Sequence, residues 1–326
     1  MKIFSPLRNS SDVDALVEAG ADEFYCGYVN ENWFHKFGNE AEINRRSFCG
    51  DSANFIDIED LQQAVRKVHH YEKKIMLAMN HHQFVNNQLE EVYHMIDEFS
   101  HIGGDGIILA DLNAIQYAKK LGMYVAISTD LNVYNHESVN FFRDLGADRI
   151  IFSRDISFED MKHMMQSTPD MEYETFMLNG PCKFSDSLCL ALHSTEHGAF
   201  CRHLSNCDFH CKSLEHTNDL SIEADPLHRT VHTFFHDYMQ RSCGICAIWR
   251  LIDAGVTSCK LVGRVLPVER IIEELHLLSK NIEIARNCNS EEEYLRKMIN
   301  PYTKEDCQNG YQCFYALPEY YQRSVQ

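Results

Sequence analysis

Eight short apolar runs alternate with amphipathic stretches along the chain, and this alternation limits the fold more than any other feature. The runs are Lys2–Ser5, Glu23–Tyr28, Lys74–Asn80, Gly106–Asp111, Tyr124–Asp130, Arg149–Arg154, Tyr173–Asn179 and Ser258–Arg264. Each is rich in Ile, Val, Leu, Phe and Ala, the pattern of parallel strands buried on both faces. Between them lie helical patterns such as SSDVDALVEAG, with a serine cap and a closing glycine, and DIEDLQQAVRKVHHYEK. Further helices are expected at Asn87–Phe99, Leu112–Leu121, His136–Leu145, Ser157–Met165, Gly244–Ala254 and Pro267–Ser279. Four phrases, AGADEFYCG, GGDGIILAD, LGADRIIFS and AGVTSCKLVG, repeat one solution: a glycine ending a helix, a short turn, a buried strand. An open doubly wound sheet would also alternate, but eight units point to a closed (β/α)8 barrel of the TIM type. A length of 326 residues would allow two domains, yet one barrel holds roughly 250 residues. The expected organisation is a barrel over residues 1–280. It includes a Cys-rich insertion after strand seven, at 180–246, and is followed by a C-terminal extension at 281–326 packed on the barrel or on a partner.

The charge balance narrows the partners. There are 30 Lys and Arg against 48 Asp and Glu, a net charge of −18. A surface so acidic repels phosphate backbones, so duplex nucleic acid is not expected to bind directly. No apolar run approaches the roughly 18 residues of a membrane span. The first residues, MKIFSPLRNSSDVD, lack the apolar core of a secretory signal. The expected location is therefore the cytoplasm, where cysteines are more often ligands, nucleophiles or packing than disulfides.

In a barrel of this kind chemistry gathers at the C-terminal ends of the strands. Those ends read Tyr28, Asn80, Asp111, Ser128–Thr129–Asp130, Arg154, Asn179 and Arg264. Asn80, Asp111, Thr129, Arg154 and Arg264 are taken as the candidate active-site set. Two arginines in one mouth suit a small anionic molecule, because guanidinium pairs bidentately with carboxylate or phosphate. The long connection Val29–Phe55, with Arg45, Arg46, Cys49 and Asn54, is expected to form a lid or wall of that mouth.

The cysteines are unevenly placed. Of 13 in the chain, Cys182, Cys189, Cys201, Cys207, Cys211, Cys243 and Cys246 crowd into residues 182–246, and eight of the 18 histidines fall between His193 and His236. Soft thiolates select zinc or iron–sulfur clusters. Zinc is favoured by the pairs Cys243-x-x-Cys246 and Cys207-x-x-x-Cys211, and plain burial remains a third reading. Cys26, Cys259 and Cys49 are assigned to packing. Neither His-Glu-x-x-His nor Gly-x-Ser-x-Gly occurs, so the common metalloprotease and serine-hydrolase signatures are missing.

The stretch EYETFMLNGPCKFSDSLCLALHSTEHGAFC resembles the signature of peptidase family U-32, the collagenase-like peptidases. The match lies on Glu174, Phe176, Gly180, Cys182, Cys189 and Cys201. AGADEFYCGY, the LAMN strand, GGDGIILAD, LGADRIIFSRDIS and AGVTSCKLVGR extend the likeness over about residues 1–280. Despite its name, the family includes oxygen-independent ubiquinone-pathway hydroxylases and proteins needed to hydroxylate tRNA or ribosomal RNA bases. The resemblance implies a 4Fe-4S cluster held by Cys182, Cys189, Cys201 and a fourth cysteine, here Cys243, with Cys246, Cys207 and Cys211 as rivals. It also implies a prephenate-like anionic donor at Arg154 and Arg264, and a possible homologous protein subunit. The family's Lys-Ile-Glu-Gly-Arg reads Lys260-Leu261-Val262-Gly263-Arg264, without the glutamate. A peptidase, or a non-catalytic cluster or zinc subunit, are the competing functions.

Overall fold

A computed structural model describes residues 1–37, 41–180, 186–189, 193–194, 198–199, 243–303, 307 and 313–315. Eight strands close a barrel: β1 (Lys2–Pro6), β2 (Glu23–Cys26), β3 (Lys74–Met79), β4 (Gly106–Leu109), β5 (Tyr124–Ile127), β6 (Arg149–Ile151), β7 (Glu172–Leu178) and β8 (Ser258–Leu261). All barrel pairings are parallel, and β8 closes onto β1 with Lys2 opposite Ser258. Helices run between them: α1 (Val13–Glu18), α2 (Glu31–Phe37), α3 (Ile58–His70), α4 (Asn86–His101), α5 (Leu112–Lys120), α6 (His136–Asp144), α7 (Phe158–Ser167), α8 (Ile248–Ala254), α9 (Val268–Arg286) and α10 (Glu291–Lys297). The expected (β/α)8 barrel is what the chain forms.

Local chemistry sets the helix starts. The side chains of Asp57, Asp111, Asn135, Ser157 and Ser290 each accept a backbone N–H from the first turn they precede. The first helix departs from the sequence reading. Asn9, not a serine, caps a short 3-10 turn at Ser10–Asp12, and α1 begins after it.

Side chains alternate across each strand, so one set fills the barrel and the other meets the helices. Phe4, Tyr25, Met76, Ala78, Ile108, Ala126, Ile151 and Phe176 form the interior cluster. Charge is buried with them. Lys260 donates to Glu174 (2.9 Å) and its ammonium stands 4.6 Å from the Phe4 ring centre and 4.3 Å from that of Tyr25. Arg149, 1% exposed, bridges Glu174 (3.1 Å), Glu172 (2.9 Å) and Glu23 (2.9 Å). Burial opposes that cation, but the carboxylates around it hold its pKa above the ordinary arginine value. Because Arg149 opens β6, this network lies toward the N-terminal end of the barrel, away from the mouth.

The last barrel helix does not stop near residue 280; α9 continues to Arg286. Beyond it, fully buried Tyr294 donates its hydroxyl to Ile245 O (2.6 Å), and Asn281 exchanges hydrogen bonds with the Ile299 backbone. The segment Cys313–Tyr315 returns to the barrel. Phe314 N donates to Cys243 O (3.0 Å), and Tyr315 Oη donates to Phe176 O (2.8 Å). Among the described residues, no helix is long and apolar enough to cross a membrane.

Candidate active site at the barrel mouth

The barrel ladders stop at Met79, Leu109, Ile127, Ile151, Leu178 and Leu261, so the polar residues named from the sequence stand just beyond them. After β7 the chain turns through two left-handed residues, Asn179 (φ +64°) and Gly180 (φ +64°). Glycine is demanded at the second, where a Cβ would lie 2.7 Å from Val262 Cγ1. The described residues 186–189 of the Cys-rich segment then lie against the mouth.

Asp186 is the fastening point, with a fully buried side chain. Its carboxylate accepts from the Arg154 guanidinium, from Arg154 N (3.2 Å) and from Arg45 Nη1 (3.4 Å), while its carbonyl accepts from Arg45 Nη2 (2.6 Å). The Arg154 guanidinium carbon also stands over the Phe176 ring, 3.8 Å from its centre. Beside this clasp is a second carboxylate, Asp130, paired with the other edge of Arg45. Ser128 Oγ donates to Asp130 (3.0 Å), and Asn80 Nδ2 donates to both Ser128 Oγ and Asp130 (3.2 Å each). His82 Nε2 faces the Cys189 carbonyl at 2.7 Å, and its Nδ1 faces the Asp130 carbonyl at 3.3 Å. Burial pushes the His82 pKa below the usual histidine value, and the ring braces the Cys189 segment against Asp130.

Arg264 occupies a different wall. It is buried and donates to Asn44 Oδ1 (3.1 Å) and Asn54 Oδ1 (3.4 Å), carboxamides without charge. Burial lowers its pKa; Tyr25 acts in the opposite sense, and the charge of Arg46 adds to the lowering. The glycine at the end of β2 makes room for it: a Cβ at Gly27 would lie 2.1 Å from Arg264 Nη1 and 2.1 Å from Asn54 Oδ1. The long connection after β2 thus forms the wall expected of it, through Asn44, Arg45 and Asn54.

The sequence-predicted set is therefore split. Asn80 and Arg154 meet around the Asp130–Asp186 cluster, and Arg264 stands on the wall. Asp111 is spent on structure: Oδ1 accepts the N–H groups of Asn113 and Ala114 at the start of α5, and Oδ2 accepts that of Phe84. Thr129 opens a buried 3-10 turn, and its carbonyl accepts from Ser153 Oγ (3.2 Å). Asn44, His82 and Asp186 were not among the sequence candidates. No local pattern marked Asp186; its pairing with Arg154 and Arg45 is made only by the fold.

Of the cluster candidates, Cys182 and Cys201 lie outside the described residues, as do Cys207 and Cys211. Cys189 N donates to Asp186 O (3.3 Å), next to the clasp. Cys243 bridges the end of β7 at Leu178, and burial pushes its thiol up to about 12. Cys26 and Cys259 are fully buried within strands, and Cys49 is buried in the wall. Among the described residues no three metal-binding side chains converge on one point.

A family model for peptidase family U32 matches residues 8–319. The chain belongs to that family. Similar U32 relatives include tRNA hydroxylation protein P of Helicobacter pylori, 25% identical over 192 residues, which cover 58% of this chain and 42% of that protein. A collagenase of Porphyromonas gingivalis is 23% identical over 312 residues, covering 90% of this chain and 68% of that one. The 23S rRNA 5-hydroxycytidine synthase of Escherichia coli is 23% identical over 265 residues, covering 81% and 36%. This chain thus matches less than half the length of the two hydroxylation relatives. At the position where the U32 motif carries glutamate, Val262 packs on Gly180 and donates its N–H to Leu178 O (3.1 Å).

Proposed function

We propose that this U32 protein is an oxygen-independent hydroxylase or related modifying enzyme, with a 4Fe-4S cluster held by Cys182, Cys189, Cys201 and Cys243. The observation that carries the reading is a pair of orphaned groups at the mouth. Among the described residues, Asn80 Oδ1 and Arg154 Nε are buried with no hydrogen-bond partner, beside an otherwise saturated cluster. Native structures rarely leave such groups unpaired, and at a barrel mouth they are what a substrate would complete. Asn80 offers an acceptor to a substrate N–H or O–H, and Arg154 offers a donor to an oxygen.

The donor set suits the cluster. Cys189 and Cys243 both attach at the mouth side, one beside Asp186 and one at the end of β7, and thiolates are the ligands such clusters take. When bound, the cluster would supply single-electron chemistry, or a substrate site if one iron stayed open. The protein's own residues do the rest: Asp186 and His82 hold the Cys189 segment in place, and Asn80 orients the acceptor. Arg264, next to Arg46 and, among the described residues, without a carboxylate partner of its own, is the site for an anionic, prephenate-like donor. The names of the hydroxylation relatives support this reaction class, with a nucleobase or aromatic ring as acceptor. The net charge of −18 favours a short or already exposed segment over a duplex.

A peptidase is disfavoured by one geometry. Ser128 donates to an Asp130 carboxylate already paired with Arg45, while His82 faces the Asp130 and Cys189 carbonyls, so among the described residues no histidine is placed to activate the serine. Anaerobic purification with iron and sulfide analysis tests the proposal. Brown protein carrying both elements supports it; colourless protein carrying zinc refutes it.

A further inference from the structure

Four cysteines outside the mouth cluster, or at its margin, come from two distant parts of the chain. Cys243 and Cys246 precede α8, while Cys307 and Cys313 belong to the C-terminal extension. The backbone draws the two parts together: Cys243 and Cys313 form a parallel bridge, locked by Phe314 N to Cys243 O (3.0 Å). The turn Ile245–Ala247 then carries Cys246 forward and sets its thiol beside that of Cys313. Both side chains are partly exposed and both are free thiols. Two neighbouring thiols, held from separate segments and partly exposed, form a ready site for disulfide exchange.

We propose that Cys246 and Cys313 form a reversible disulfide that fastens the C-terminal segment to the barrel, with a low-molecular-weight disulfide as oxidant. The Cys246 sulfur attacks one sulfur of the small disulfide, releasing half of it as a thiol and forming a mixed disulfide. The Cys313 sulfur then displaces the second half. The protein loses two protons and two electrons, and the oxidant takes them up to become two thiols. The bond would fix Phe314 and Tyr315 where they already contact Phe176, the residue that carries Arg154 on its ring face. The state of the pair would thereby reach the mouth. The proposal rests on the assignment of Cys243, rather than its rival Cys246, to the cluster.

Incubation of the full chain with oxidised glutathione, followed by alkylation, tryptic digestion and mass spectrometry, tests it. Trypsin leaves Cys243 with Cys246 on residues 242–250, and Cys307 with Cys313 on residues 305–323. The expected product is these two peptides joined, two hydrogens lighter than their sum and separated by reductant. Cys307→Ser and Cys243→Ser should keep the link; Cys246→Ser and Cys313→Ser should lose it and retain a glutathione adduct on the remaining partner. Thiols that stay fully alkylatable after oxidation would overturn the proposal. So would a link that survives Cys246→Ser, or loss of bound iron or zinc in the Cys246→Ser or Cys313→Ser protein.

Discussion

Replacing Asp186 with asparagine keeps the shape of the clasp and removes its charge. In the native protein this carboxylate is fully buried and faces Arg154, 12% exposed, and Arg45, 20% exposed. Removing one partner of a buried ion pair costs about 3–5 kcal/mol, because the other charge stays buried without compensation. Arg45 keeps Asp130, so the uncompensated charge is mainly that of Arg154, and about 3 kcal/mol is the expected loss. At roughly 2 °C per kcal/mol for a chain above 150 residues, thermal unfolding followed by circular dichroism should fall by about 6 °C. Arg154→Met supplies the control. If the two groups act as a pair, the double variant should be more stable than the two single losses predict by about 1.5 kcal/mol or more. Additive losses, or a shift in Asp186→Asn below about 1 °C, would show that Asp186 is not held by the mouth arginines.

Four further outcomes are expected. Alanine at Cys182, Cys189, Cys201 or Cys243 should remove most of the iron and the visible absorption from anaerobic protein, while Cys26→Ala and Cys259→Ala keep both; iron and sulfide assays decide. Gly27→Ala places a methyl group against Arg264 and Asn54, costing about 1–3 kcal/mol in urea unfolding, and should weaken a titrated dicarboxylate together with Arg264→Met, which is expected to lose about 2–5 kcal/mol of binding. Unchanged affinity in both would retire the anion site. Arg149→Met leaves Glu23, Glu172 and Glu174 facing one another and should lower stability by at least about 3 kcal/mol, with no direct effect on ligand binding at the far end of the barrel. His81 is pushed below the usual histidine pKa, chiefly by burial. Its contribution is therefore complete above about pH 6.5 and is lost as the pH falls, when the unfolded chain takes up the proton more readily. The urea midpoint should drop between about pH 7.5 and about pH 5.5, and His81→Gln should flatten that slope.

The sequence by itself determined the barrel. Its strands and helices are specified by local period, and phrases such as AGADEFYCG and LGADRIIFS carry their own helix end, turn and buried strand, so neighbouring residues suffice. It also placed Asn80, Arg154 and Arg264 at one end, because a parallel barrel sends every strand terminus to the same mouth. Only the tertiary structure decided which of these groups meet. Asp186 is 141 residues from Arg45 and 32 from Arg154, and Arg264 is 220 from Asn44. No local period records such distances; they arise from the order of strands around the barrel and from the loops that close above it. For the same reason Asp111 looked like a mouth residue and is a helix cap: its strand end is also a helix start, and only the fold shows which backbone donors face the carboxylate.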